Sequence, residues 1–288
     1  MATKKAASTA KKSVTSKPAP AKKQATTTTK VTTVKAVESK PAKAATVRGP
    51  QRFNLNGSSL LPAMIAEFVG TFLLAAIFIA GQGQPILIMF GLIGIVLAVG
   101  SLSGGYANPA LVIGAWATKR MNGVRAAGYI IAQVLGAMLA LVLLNAFVNA
   151  AAPAAGAAAQ DIYNAAPSLF TAAKIPEAHH WMILLSEVVG SIIFGFAAAS
   201  ALTRKADRSA SALTMGLGMF LGLMVGGSAA ALLGASAILN PAVAISLQAI
   251  SFDSVWPILV YVIGALAGGV AGFFLYDYLR KAEGAQTV

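Results

Sequence analysis

Long apolar runs are the feature that most limits what this chain can fold into. Six of them can each supply the ~20 residues that cross a bilayer core, and they lie at about 62–80, 85–102, 125–148, 181–203, 211–232 and 255–279. The runs are continuous and rich in Ala, Leu and Gly, without the alternating pattern of outer-membrane β-barrels. The sequence therefore predicts an all-α membrane protein with six transmembrane helices.

Charge is divided unevenly between the two ends of the chain. Residues 1–52 contain 13 of the 22 Lys and Arg residues and a single acid, Glu38, whereas residues 53–288 have a net charge of only +1. Because the first segment is rich in Lys, Ala and Thr, it cannot bury enough apolar surface to offset its chain entropy. We predict a disordered tail at 1–52 and a membrane domain at 53–288.

The basic tail has a predicted partner of its own. Tripeptides such as "AKK" and "KKS" are similar to the lysine-rich tails of linker histones. Such a tail binds nucleic acid or anionic lipid by releasing counterions. The alternative interpretation is a solvated tail without a specific partner.

The scarcity of reactive side chains excludes most chemistry. The chain has no Cys, two His and nine acidic residues, so a disulfide framework is excluded. The apolar domain offers no acid–base pair and no cluster of metal ligands. We therefore predict that the protein is not an enzyme and that it holds neither a metal nor a cofactor.

Basic residues also predict the orientation of the membrane domain. Eight of its nine Lys and Arg residues fall on the side that holds both termini, and only Lys174 falls on the other side. Lys and Arg are concentrated in cytoplasmic loops. The sequence thus predicts an integral membrane protein whose N- and C-termini are cytoplasmic.

Two stretches of the membrane domain repeat each other. Glu67 in "AEFVGT" is followed 41 residues later by an Asn-Pro-Ala motif at 108–110, and Glu187 in "SEVVGS" is followed 53 residues later by a second motif at 240–242. Each unit contains three spans, so the two copies cross the membrane in opposite directions. This inverted repeat predicts a site near the midplane, where the copies meet.

Each Asn-Pro-Ala motif is predicted to begin a short helix, because Asn is a good N-cap and Pro is favoured at the first helical position. The apolar run after each motif lasts only about two turns, which is too short to span a bilayer. We expect one half-helix to enter from each side, with the positive N-terminal ends meeting at the centre.

These matched motifs resemble the aquaporin and glycerol-channel family, the major intrinsic proteins. The resemblance covers about 60–280 and includes "AEFVGTF", "VGSLSGGYANPALVIG", "GYIIAQVLGA" and "LNPAVAIS". It implies an aquaporin-like fold of six helices and two re-entrant half-helices, with repeat one at about 60–150 and repeat two at about 180–280. It further implies a homotetramer in the lipid bilayer, with one pore per subunit for water and small neutral solutes.

The resemblance also implies roles for individual residues. The two Asn side chains would donate to a passing oxygen in mid-pore, while the half-helix dipoles oppose cations. Glu67 and Glu187 would be buried carboxylates that accept hydrogen bonds from the loop before each half-helix. The pore motif would consist of Asn108, Pro109, Ala110, Asn240, Pro241 and Ala242.

The sequence departs from the family at the outer filter. The Arg that usually follows the second motif is replaced by Val243. The filter position in span 2 falls on Ile88, with Phe90 as an alternative register. The loop position falls on Ala237, and the span 5 position falls near Gly226, between Leu223 and Ser228. None of these residues is a cation or a His, so the predicted filter is wider and more apolar than the family's.

Two further positions indicate which solutes the channel conducts. Ala244 occupies the position where glycerol channels of the family carry Asp, and Tyr261 resembles an aromatic residue that water channels favour. We predict a passive transmembrane channel for water and small neutral solutes. The alternative is a poorly conducting membrane anchor whose basic tail binds nucleic acid, anionic lipid or a partner protein.

Overall fold

The computed structural model of the protein describes residues 60–151, 168–204 and 207–286, with side chains up to residue 282. All of these residues belong to the unit Asn54–Val288. The predicted tail at 1–52, and the partners predicted for it, lie outside the described residues.

Helices make up the regular structure of the described residues, which contain no β-strand. In chain order they are α1 (Leu60–Ala80), α2 (Pro85–Ser103), α3 (Pro109–Ala117), α4 (Gly123–Ala151), α5 (His180–Thr203), α6 (Arg208–Gly222), α7 (Ser228–Ala231), α8 (Pro241–Ser246), α9 (Trp256–Ile258) and α10 (Ala265–Gln286). A π-helical segment at Leu223–Gly227 joins α6 to α7, and another at Leu259–Gly264 joins α9 to α10.

Six spans are present among the described residues, as predicted. Each is a helix, or a run of joined helices, that is long and apolar enough to cross a membrane. The two helices that follow the Asn-Pro-Ala motifs, α3 and α8, have nine and six residues. Both are too short to span a bilayer at 1.5 Å per residue. The predicted all-α fold with six spans and two half-helices is confirmed.

Local sequence signals set several helix boundaries. Pro85 begins α2, and Gly104, with φ of 102°, ends it in the left-handed conformation that glycine adopts without a steric cost. Asp207 caps α6, because its carboxylate accepts a hydrogen bond from the Ala210 N–H at 2.9 Å.

Small residues let the long helices approach closely. A Cβ on Gly222 of α6 would lie 2.6 Å from the Gly190 carbonyl oxygen of α5, and a Cβ on Gly195 would lie 2.7 Å from the Gly269 carbonyl oxygen of α10. Neither position has room for a side chain. Close backbone contacts of this kind replace the hydrophobic driving force, which is absent between helices in lipid.

The first half-helix is anchored to α10 at its far end. Arg120, which follows α3, makes two hydrogen bonds to the Asp277 carboxylate at 2.6 and 3.1 Å, and its guanidinium lies 5.1 Å from the centroid of the Phe273 ring. Phe273 also fills the space beside Gly114 of α3. These contacts fix the direction in which α3 points toward the centre of the protein.

Candidate pore site

The two Asn-Pro-Ala motifs meet through their asparagines. Asn108 caps α3, since its Oδ1 accepts from the Ala110 N–H at 2.8 Å, and its Nδ2 donates to the Leu239 carbonyl oxygen at 2.8 Å. Asn240 caps α8 in the same way, and its Nδ2 donates to the Ala107 carbonyl oxygen at 2.8 Å. Each asparagine therefore caps its own half-helix and binds the loop of the other repeat.

These bonds also define the orientation of both amides. Each oxygen faces a backbone N–H and each nitrogen faces a carbonyl, so neither amide can be reversed without losing its bonds. An amide nitrogen carries two hydrogens, and the bond to the opposite loop uses one of them. Each asparagine thus retains one N–H for another acceptor at the centre of the protein.

The residue before each asparagine has a left-handed backbone. Ala107 has φ of 46° and Leu239 has φ of 59°, although neither is glycine. This conformation costs a non-glycine residue about 1–3 kcal/mol and persists only where surrounding contacts impose it. It turns both carbonyls toward the opposite asparagine. No pattern in the sequence marks either position.

Two buried glutamates hold the loops that lead into the half-helices. The Glu67 carboxylate accepts from the backbone N–H groups of Tyr106 at 3.0 Å and Ala107 at 2.8 Å. Gln133 of α4 donates to the same carboxylate at 2.7 Å. In repeat two, Glu187 accepts from the N–H groups of Ile238 at 2.9 Å and Leu239 at 2.6 Å.

The left-handed residues and the glutamates therefore form one arrangement. Ala107 and Leu239 each donate an N–H to a glutamate and accept from an asparagine through their carbonyl. The carboxylates act through this backbone and support the asparagines without contacting them.

A tyrosine hydroxyl fastens each loop at a second point. Tyr129 of α4 donates to the Ser103 carbonyl at 3.0 Å, and Tyr261 donates to the Ser236 carbonyl at 3.1 Å. Tyr129 was not predicted from the sequence, and Tyr261 was predicted only as an aromatic residue at a position where water channels of the family favour one. The structure gives both tyrosines the same contact, which holds the loop in place. Each tyrosine lies in the span that follows an Asn-Pro-Ala half-helix. This repetition is the sequence signal that could have identified both residues.

Each loop bounds a cavity. The basic-end cavity, of about 360 Å³, lies where the Arg residues cluster and is lined by Tyr106, Ser103, Arg208, Ser211 and Met215 among others. The opposite-end cavity, of about 270 Å³, is lined by Phe78, Phe170, Leu223, Ala237 and Ile238 among others. One cavity borders the loop before Asn108 and the other borders the loop before Asn240, while both asparagines are fully buried.

Comparison with known proteins identifies the family. Residues 54–276, more than three quarters of the chain, match the Major intrinsic protein family. The chain belongs to that family. Its members are passive transmembrane channels for water and small solutes, not enzymes, and the six apolar spans make this major intrinsic protein a membrane protein.

Curated relatives and a solved structure agree with this family. Aquaporin AqpM of Methanothermobacter marburgensis is 30% identical over 260 residues, which cover 77% of this chain and 99% of that protein. Glycerol uptake facilitator protein-like 6 of Lactiplantibacillus plantarum is 40% identical over 94 residues, which cover 30% of this chain and 44% of that protein. The X-ray structure of the aquaglyceroporin from Plasmodium falciparum matches with a TM-score of 0.54 at 18% identity, over 76% of this chain and 95% of that one, which shows the shared fold.

The predicted filter residues of this major intrinsic protein lie in different surroundings. Ala237 lines the opposite-end cavity. Ile88 and Val243 are fully buried. The alternative residue in span 2, Phe90, is 61% exposed and thus lies on the outer surface of the described chain.

Gly226 does not line the opposite-end cavity. A Cβ on this residue would lie 2.6 Å from the Ser186 carbonyl oxygen, so Gly226 faces α5. Its neighbours Leu223, Gly227 and Ser228 line the cavity instead. Gly226 lies within the π-helical turn at Leu223–Gly227, where the helix faces are shifted relative to a regular α-helix.

Proposed function

We propose that the protein conducts water and small neutral solutes along a path that joins the two cavities past Asn108 and Asn240. The main support for this proposal is the pair of asparagines, each of which donates a hydrogen bond to the re-entrant loop of the other repeat. A conducting path through this centre meets one free N–H from each amide. A passing oxygen accepts from both donors and is thereby oriented.

The same centre opposes cations. The N-terminal ends of both half-helices begin at the asparagines, and these ends carry partial positive charge. A cation would lose part of its hydration shell in a narrow pore and would gain no carboxylate in return. Glu67 and Glu187 do not compensate, since their oxygens already accept from buried donors of the protein. Pore width, donors and dipoles together account for this selectivity.

The outer filter is proposed to be apolar. Val243 stands where the family usually has Arg, and the opposite-end cavity is bordered by Leu223 and Ala237. Without a guanidinium, the filter lacks five N–H donors and a fixed positive charge. A solute with some apolar surface is then less disfavoured, while dewetting competes with water conduction. The names of the relatives, which include both an aquaporin and a glycerol uptake facilitator-like protein, are consistent with this mixed solute range.

Permeability of proteoliposomes tests the proposal. The purified protein is reconstituted, and stopped-flow light scattering measures the permeabilities to water, glycerol and urea against protein-free liposomes of the same lipid. We expect water permeability above the control, and a glycerol-to-water ratio above that of a channel that has the filter Arg. If all three permeabilities equal those of empty liposomes, the channel proposal is wrong and the membrane-anchor alternative takes its place.

We also propose that the basic end faces the cytoplasm. It holds Lys119, Arg120, Arg125, Arg204, Arg208 and Arg280, whereas the loop at the opposite end holds Lys174. The chain has no Cys, so single-cysteine variants report topology without background. Phe252→Cys at the opposite end should react with an impermeant maleimide in intact cells, and Arg280→Cys should react only after lysis. The reverse pattern would contradict the orientation.

The subunit is further proposed to assemble as a homotetramer with one pore in each subunit. The resemblance to the family supports this assembly, and each subunit contains both asparagines, so the pore needs no residue from a neighbour. The mass of the detergent-solubilised protein, measured by light scattering with the detergent subtracted, should equal four chains. A monomeric mass in several mild detergents would contradict it.

A further inference from the structure

A loop segment crosses the opposite-end cavity and contributes an aromatic wall to it. This segment, residues 168–173, will be called the strap; it lies between α4 and α5. Phe170 of the strap lines the cavity together with Phe78, Leu223 and Ala237. No residue of the strap was predicted from the sequence to have a role in the pore.

The strap is tied to the re-entrant loop of repeat two at two points. The Ala172 N–H donates to the Leu247 carbonyl at the end of α8 at 2.9 Å. The Ala173 N–H donates to the Ser236 hydroxyl oxygen at 3.1 Å. Both acceptors belong to the stretch that carries Ala237 and Val243, so Phe170 is held in a fixed relation to the proposed filter.

The Phe170 ring packs against the turn between α1 and α2. A Cβ on Gly83 would lie 2.9 Å from Cζ of Phe170, and Gly83 has φ of +70°. A glycine at this position therefore permits the turn and also leaves room for the ring. The ring is pinned between this turn and the cavity.

We propose that Phe170 is a size-determining residue of the channel, held over the opposite-end cavity by the strap. The inference rests on the proposed function and adds a selecting group to its apolar filter. The other residues at the proposed filter, Ile88, Ala237 and Val243, are aliphatic. Phe170 supplies a flat, rigid surface that limits the cross-section of the path and offers no hydrogen bond to a solute. The solutes that it restricts are polyols larger than water, such as glycerol.

Substitution of the ring tests the inference. Phe170→Ala should raise the ratio of glycerol to water permeability by about threefold or more in proteoliposomes, because a wider pore favours the larger solute. Phe170→Leu, which keeps most of the bulk, should give a smaller increase. Phe252→Ala is the matched control, since Phe252 is a loop residue of the same end, is 89% exposed and does not line the cavity. Its ratio should equal that of the wild type.

A second variant tests the strap and leaves the Phe170 ring in place, although Ser236 itself also lines the cavity. Ser236→Ala removes the acceptor of the Ala173 N–H but retains the Ser236 carbonyl that binds Tyr261. We expect a change in the same direction as Phe170→Ala, but smaller. This variant and Phe170→Leu decide the question if Phe170→Ala fails to reconstitute.

The outcomes separate the two proposals. If the wild type conducts and both Phe170 variants keep its glycerol-to-water ratio, this inference is wrong while the proposed function stands. An equal increase in Phe252→Ala would also overturn it, because the effect would then not depend on the cavity. If the wild type conducts no more than empty liposomes, the proposed function fails and the inference fails with it.

Discussion

The re-entrant loops of the two repeats make the same hydrogen bonds near the centre of the protein. They differ in the additional side chains that support each loop and half-helix. Each loop has an asparagine that caps a half-helix, a left-handed residue before it, a glutamate on two backbone N–H groups and a tyrosine on a loop carbonyl. These features therefore occur in both repeats, which run in opposite directions, and they combine the local Asn caps with hydrogen bonds between the repeats.

The supports behind the loops are unequal. Glu67 receives a third hydrogen bond from Gln133, four residues after Tyr129. The residue four after Tyr261 is Ala265, which has no polar side chain to offer Glu187. The first half-helix also ends on the Arg120–Asp277 ion pair, and among the described residues α8 has no such pair. Repeat two thus holds its loop with fewer side chains.

The largest expected effect comes from removing either glutamate. Glu67→Ala and Glu187→Ala each leave two buried N–H groups without an acceptor, at about 1–3 kcal/mol for each group. Thermal unfolding in detergent, followed by intrinsic fluorescence, should show a lower Tm for both variants. We expect Glu67→Ala to lose more, since it also leaves the buried Gln133 amide without its acceptor, whereas Glu187 accepts from two backbone N–H groups. A Tm equal to the wild-type value would show that the carboxylates do not hold the loops.

Val243→Arg should change the solute range. The new guanidinium adds donors and a positive charge to an apolar site, narrows the filter and favours water over larger solutes. We expect the glycerol-to-water permeability ratio to fall roughly tenfold. Val243→Met is the matched control, because it adds length without charge. If Val243→Arg leaves the ratio unchanged, Val243 is not part of the filter.

Gln133→Leu should make repeat one more like repeat two. The substitution keeps the approximate volume but removes the Gln133 donor to Glu67, which leaves this carboxylate with its two backbone partners and the Ser103 hydroxyl. The expected loss of stability is about 1 kcal/mol, the net value of one hydrogen bond. A loss as large as that of Glu67→Ala would mean that Gln133, and not the backbone, provides the main support.

Asp277→Asn should have the smallest effect. It weakens the link between the end of α3 and α10, and both charged side chains are partly exposed. Exposed ion pairs contribute about 0–1 kcal/mol. The difference in Tm between the variant and the wild type should shrink further as salt is added, since salt screens the pair. A difference in Tm that does not depend on salt would indicate that packing of Arg120 on Phe273, and not the ion pair, stabilises the contact between the end of α3 and α10.

The sequence predicted the fold because its signals are local and repeated. Apolar runs marked the six spans, and the Asn-Pro pairs marked the starts of α3 and α8. The filter was harder to predict. The family's spacing placed the span 5 position near Gly226, between Leu223 and Ser228, and within this interval, which contains the π turn at Leu223–Gly227, it is Leu223, Gly227 and Ser228 that border the cavity. Such a turn has no strong sequence signature.

Contacts between distant loops were likewise hidden from the sequence. Phe170 looks like an ordinary loop residue until the chain brings it against Gly83, which lies 87 positions earlier. The left-handed backbone of Ala107 and Leu239 is imposed by partners in the other repeat. Local propensity therefore gives no hint of it.

The exchange of hydrogen bonds between the asparagines and the opposite loops has a mechanical consequence. Inverted repeats in transporters rock against each other so that the site opens to one side at a time. Here two bonds of 2.8 Å join the two repeats at the centre, and rocking of one repeat against the other would have to break or distort them. We therefore expect a fixed path through the centre and no conformational cycle during transport. Flux through this protein should therefore rise in proportion to the gradient, without saturating, and should have the shallow temperature dependence of diffusion in a liquid.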